Sequence, residues 1–203
     1  MRHPEFFDQV PAITLYDPLA ELLGAAAGGQ LDFHYVDVVR LAGHSCPTVA
    51  GAWLMARHGL AALYPETLPV RGGVRVELRA AQDSGTTGVV GAVLGMITGA
   101  AGEGGFAGLG GRYSRRGLLR YGLALPAEVR LTRLDSGAAV LLDYHPERVP
   151  AAPAQAELMP RVLAGTATPE ERARFAQLWQ ARVQSILLEH ADDPAILTLW
   201  RGE

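Results

Sequence analysis

Apolar and charged residues alternate from Gly73 to Arg79, with Val74, Val76 and Leu78 set against Arg75, Glu77 and Arg79. A period of two is what a strand with one buried face requires, and this is the clearest strand in the chain. Two more strands are predicted at Ala127–Leu134 and Ala138–Tyr144, joined as a hairpin by Asp135-Ser136-Gly137. Helical spacing appears instead in Val49, Ala50, Trp53, Leu54, Ala56, Leu60, Ala61 and Leu63, with Pro47 suited to the first helical position. Pro65 and Pro69 close that helix. Thr168-Pro169-Glu170-Glu171 opens another with a capping residue, a proline and a reciprocal glutamate. This last helix carries Phe175, Leu178, Trp179, Val183, Ile186 and Leu187 on one side and Arg172, Arg174, Gln180 and Arg182 mostly on the other.

The remaining stretches are less regular. The first thirty residues hold one short helical pattern, Pro18 to Gly24, and read as a lead-in packed on the surface. Phe33, Tyr35 and Val36 suggest a brief extended piece, after which Asp37 caps a short helix, Val38–Ala42, that stops at Gly43. From Val89 to Ala101, Gly91, Gly95 and Gly99 recur every four residues and predict a smooth stripe on one helix face. The run Gly102–Gly111 has too many glycines for a regular element and reads as a loop able to approach a ligand closely. Ala151–Ala154 reads as a linker. The expected organisation is a lead-in over 1–30, a core domain over 31–150 and a helical extension over 151–203. The fold class is α+β: a mostly antiparallel sheet packed with helices, plus a C-terminal amphipathic helix.

Composition narrows the function. Of 203 residues 49% are hydrophobic and 19% charged, which excludes wholesale disorder. A net charge of −3 offers no basic field for a nucleic-acid backbone, although all 18 basic residues are arginine. One cysteine cannot form an internal disulfide, and Met1–Glu5 lacks the apolar core of a signal peptide, so a cytoplasmic location is expected. The uncharged run Ser84–Gly102 is diluted by threonine and glycine and reads as a buried helix rather than a membrane span.

Chemistry concentrates in Gly43-His44-Ser45-Cys46-Pro47-Thr48. An imidazole and a thiol two residues apart suit zinc or another divalent transition metal, and a helix starting at Pro47 places partial positive charge beside Cys46. His34 is the nearest third ligand, with Asp37 a further candidate or simply a cap. The alternatives are a metal-free thiol enzyme, with Cys46 as nucleophile and His44 as base, and a non-catalytic binding or dimerisation module. Thr98, Arg112 and Arg115 flank the glycine-rich loop and are candidates for binding an anionic or carbonyl-bearing small molecule. His58 is expected to cap the end of its helix, and His145 to lie in an exposed turn.

The stretch Gly43-His44-Ser45-Cys46-Pro47 resembles the glycine-histidine-x-cysteine-proline signature of the FmdE-like family, named for a component of formylmethanofuran dehydrogenase, over roughly residues 30–150. That resemblance implies a compact α+β unit, often a homodimer, with a metal, commonly zinc, near the motif. The C-terminal zinc ribbon of some members would need further cysteines than this chain has.

Overall fold

The computed structural model describes residues 2–202. Strand β1 (Ile13–Tyr16) runs through Asp17 into the short helix α1 (Pro18–Leu22) and pairs antiparallel with β2 (Gln30–Phe33). Helices α2 (Tyr35–Ala42) and α3 (Pro47–Leu63) follow, then β3 (Val74–Leu78), α4 (Thr87–Thr98) and the two-residue β4 (Leu119–Arg120). The hairpin β5 (Val129–Arg133) and β6 (Ala139–Tyr144), helices α5 (Pro153–Leu163) and α6 (Pro169–Gln184), and strand β7 (Leu197–Gly202) complete the order. The larger sheet has the order β4-β3-β5-β6-β7, and only its β3–β4 pair is parallel. The fold is α+β, a mostly antiparallel sheet packed with helices. Among the described residues no helix is long and apolar enough to cross a membrane.

Helix α3 is apolar almost all round, and such a helix must lie inside the molecule. Eleven of its seventeen residues are buried, from Val49 through Leu63. It rests on the sheet face formed by Val74, Val76, Leu78, Val129, Leu131, Val140 and Leu142, all buried. Glycines set the closeness of this contact. A Cβ on Gly59 would lie 2.5 Å from Leu131 Cδ1, and one on Gly51 would lie 2.3 Å from the Tyr144 ring. On α4, Gly91 faces the Tyr121 hydroxyl and Gly95 faces the Ala100 carbonyl, so the stripe seats returning chain against the helix.

Both ends of the chain enter this core. Phe6, Phe7, Val10 and Leu15 are buried, and edge-to-face rings link Phe7 to Tyr35 and Tyr35 to Trp53. Part of the expected surface lead-in is therefore interior, while α1 and the stretch through Gly28 lie on the surface as expected. The segment expected as a helical extension also supplies β7, which pairs along the whole of β6. Helix α5 begins at Pro153, inside the expected linker, and continues through Pro160. Proline removes the bond to the carbonyl four residues back, here that of Ala156. Both residues are exposed, so water reaches that carbonyl. The α2 cap also differs: His34 holds the N-cap position, and Asp37, three residues in, accepts from the His34 backbone N–H at 2.9 Å. His58 caps no helix end, because α3 continues to Leu63; its Nε2 lies 2.7 Å from the Ala191 carbonyl oxygen.

Two carboxylates are buried by ion pairs. Asp17 takes Arg71 at 3.0 Å and Arg115 at 2.8 Å, and Glu77 takes Arg130 through both of its oxygens at 2.8 and 3.0 Å. Burial alone would raise both carboxyls, but hydrogen bonds and the guanidinium charges hold each below its ordinary value. A depressed carboxyl contributes stability above its unfolded pKa and loses it as pH falls through the folded value. Glu128 acts in the opposite sense, raised by burial first and by Asp143, and so blunts the acid loss. The unfolding midpoint is expected to fall as pH drops below about 4. Asp17→Asn is expected to cost on the order of 3 kcal/mol at pH 7 and to flatten that decline, as read by thermal melts across pH.

Candidate functional site

Helix α2 ends at Gly43, which adopts the left-handed conformation (φ 76°) and returns its N–H to the Val39 carbonyl. A side chain at that φ would be strained, so glycine here turns the chain sharply. Only Ser45 and Cys46 then separate His44 from Pro47, the first residue of α3. The connection is clamped from above by α6. The Ser45 carbonyl accepts from Trp179 Nε1 at 2.9 Å and from Gln180 Nε2 at 3.1 Å.

The motif residues face different surroundings. Cys46 holds the N-cap position of α3 but makes no side-chain cap, and it is only 8% exposed. Around it the Tyr35 hydroxyl and Ser45 Oγ lie 3.1 Å apart, and the Tyr144 hydroxyl donates to the Pro47 carbonyl at 2.9 Å. Burial pushes both phenols well above their ordinary pKa, and Cys46 adds to each shift. His44 is exposed. Its Nδ1 lies 2.9 Å from the Ala42 carbonyl, which can only accept, so Nδ1 carries the hydrogen and Nε2 of the neutral ring is left as an acceptor. No hydrogen bond joins His44 to Cys46 among the described residues. His34 stands at the opposite end of α2, about 12 Å of helix away. Among the described residues no three His, Cys, Asp or Glu side chains converge as metal ligands. His44, Cys46 and His34 therefore do not meet at one point in this structure.

The other expected residues are also dispersed. Thr98 is fully buried and uses its hydroxyl within the chain, donating to the Leu94 carbonyl and accepting from the Ala100 N–H. Arg112 lies exposed over the Tyr113 ring, 4.9 Å from its centre. Arg115 is buried against Asp17, 98 residues away in sequence. His145 opens a single turn, Pro146–Arg148, with its Nδ1 3.6 Å from Glu147.

His44 borders a cavity. A space of about 520 Å³ lies between the 43–46 connection and helices α5 and α6, walled by His44, Ser45, Met159, Leu163, Phe175 and Trp179. Its lining is almost wholly apolar. The Phe175 and Trp179 rings stand 5.7 Å apart on successive turns of α6. Their spacing marks an apolar helix side in the sequence, but nothing local indicates that they face His44 across a cavity. Met159 and Leu163 carried no signal, because the prolines around α5 masked that helix.

No family model matches the chain, and no curated protein matches it in sequence.

Two measurements probe the motif. Protein purified without chelator is expected to carry zinc well below one ion per chain by elemental analysis. Near-stoichiometric zinc that is lost in both Cys46→Ser and His44→Ala would establish a metal site formed by movement of these side chains. Iodoacetamide at pH 7 is expected to alkylate native Cys46 at least about tenfold more slowly than free cysteine, since a buried thiol is poorly reached. A rate matching free cysteine would restore thiol chemistry.

Proposed function

We propose that this protein binds a small molecule with an aromatic or aliphatic body and one hydrogen-bond donor, held in the cavity between the 43–46 connection and helices α5 and α6. The observation that carries the reading is an apolar space bordered by an imidazole whose tautomer is fixed by the Ala42 carbonyl. A volume of about 520 Å³ falls in the range of small-molecule sites, which pair apolar walls with a few placed polar groups. The free acceptor of the His44 ring, beside an apolar surface, favours a ligand that brings a donor. Phe175 and Trp179 offer ring faces to an aromatic body. The resemblance of the motif to a family expected to carry its chemistry there supports the same location, while the zinc expected from that resemblance forms no part of the proposal.

Isothermal titration with 2-naphthol and with 2-methoxynaphthalene, which lacks the donor, tests the reading. The naphthol is expected to bind about fivefold more tightly, worth ~1 kcal/mol for one net hydrogen bond, and to lose that preference in His44→Ala. Uptake of neither compound, or the same preference in His44→Ala, would retire the proposal. A concentration-dependent doubling of mass without uptake would assign the cavity to a second copy of the chain instead.

A further inference from the structure

A second cleft, sharing no residue with the apolar cavity, has the opposite character. Two of its lining residues, the half-buried Arg71 and the buried Arg115, meet at the buried carboxylate of Asp17. Asp17 is 3% exposed and caps α1, its Oδ1 accepting from the backbone N–H groups of Leu19 and Ala20 and from Arg115 Nη2. Its Oδ2 takes Arg71 Nη1. One carboxylate therefore serves two guanidinium groups, and the cluster keeps a formal charge of +1. Arg71 spreads part of its charge onto the carbonyls of Met96 and Ile97 at the end of α4. Arg115 has no such outlet. It is 7% exposed, and its Nη1 is buried without any acceptor.

The chain is shaped to hold Arg115 there. Gly72 and Gly99 both take left-handed φ, and a Cβ would lie 2.0 Å from Arg115 Nη1 at the first and 2.6 Å at the second. The glycine-rich loop pins the Arg115 backbone on both sides, its N–H donating to the Phe106 carbonyl and its carbonyl accepting from Ala101. Next to Arg115, Tyr113 is the one non-glycine residue with positive φ among the described residues, at 63°. Backbone strain of that kind persists only where the surroundings enforce it. Arg71, Gly72, Tyr113, Ser114 and Arg115 border a cleft of about 180 Å³, room for one oxyanion group rather than a large ligand. Glu21, the other carboxylate of α1, accepts from the Tyr16 hydroxyl and, among the described residues, forms no ion pair with Arg71 or Arg115.

We infer that this cleft is a binding site for a single oxyanion group, phosphate or carboxylate, drawn by the guanidinium pair of Arg71 and Arg115, with Ser114 on its wall. An excess positive charge in a poorly solvated place is costly unless a counter-charge completes it. Guanidinium donors meet oxyanions through short, charge-assisted hydrogen bonds, and two such groups converging on one cleft favour an anion over a neutral ligand. Asp17 fixes the orientation of both guanidinium groups, taking Arg71 through Nη1 and Arg115 through Nη2. The glycine-rich loop thus acts as a carrier for Arg115, while Thr98 and Arg112 take no part.

The test is a thermal titration of the full chain at pH 7 with inorganic phosphate and, separately, with acetate, at ionic strength held constant with sodium chloride. At least one anion is expected to raise the unfolding midpoint by a few degrees along a saturating curve in the low-millimolar range, as a ligand of the folded state does. A preference for phosphate or for acetate distinguishes the two sources. Ser114→Asp, which supplies a tethered carboxylate, is expected to raise the midpoint in chloride alone and to abolish the response. Arg71→Gln is expected to lose the response as well. Flat titrations with both anions in the unaltered chain would overturn the inference. So would a linear, non-saturating rise that persists unchanged in Ser114→Asp, because general exclusion of phosphate from protein surfaces acts in that way.

Discussion

The placement of α3 governs everything else in this molecule. A seventeen-residue helix with Trp53, Leu54, Met55 and Leu60 pointing in several directions can be stable in water only if other elements cover each side. The sheet covers one side, α4 and α2 cover others, and the segment after α6 closes the rest through Ile186 and Leu187. Because Pro47 fixes the first turn of that buried helix and Gly43 fixes the last turn of α2, the residues between them have almost no freedom. His44 is turned outward and Cys46 inward as a consequence of where the two helices must lie. The divergence of the two side chains thus follows from packing.

Two clefts of contrasting physics sit on this frame. The space beside His44 is apolar, walled by Phe175, Trp179, Met159 and Leu163, with the His44 ring at its edge. The cleft beside Arg115 is charged, and its unmet atoms are donors. An apolar pocket selects by shape and by the few polar groups at its edge. A charged one selects by sign, and its attraction weakens as salt rises. The two proposed sites would therefore reward different chemistry in what they bind.

Much of the architecture was legible in the residues themselves. The alternation in β3, the turn Asp135-Ser136-Gly137, the proline at the head of α3 and the Thr168/Glu171 capping box each depend on a few neighbouring side chains, and each lies where its pattern predicts. β1 and β7 were not legible. Four residues such as Ile13–Tyr16 have too short a pattern to distinguish a strand from a loop, and β7 becomes a strand because β6 presents an edge that it can pair with. Helix α5 was hidden because Pro153, which suits a first helical position, reads as part of a linker and Pro160 locally argues against helix; an exposed Ala156 carbonyl is what makes the second proline tolerable.

For the sites the division falls between chemistry and company. Residue order alone was enough to put His44 and Cys46 on a tight connection at the head of a buried helix, to lead a glycine-rich loop to Arg115, and to give α6 an apolar side. Which groups each of these meets was settled only when the chain folded. Trp179 and Gln180 reach the Ser45 carbonyl across more than 130 residues of chain, and Arg115 reaches Asp17 across 98. Local residue patterns constrain backbone angles over a turn or two, whereas the partner of a side chain depends on how distant segments are brought together when the core closes.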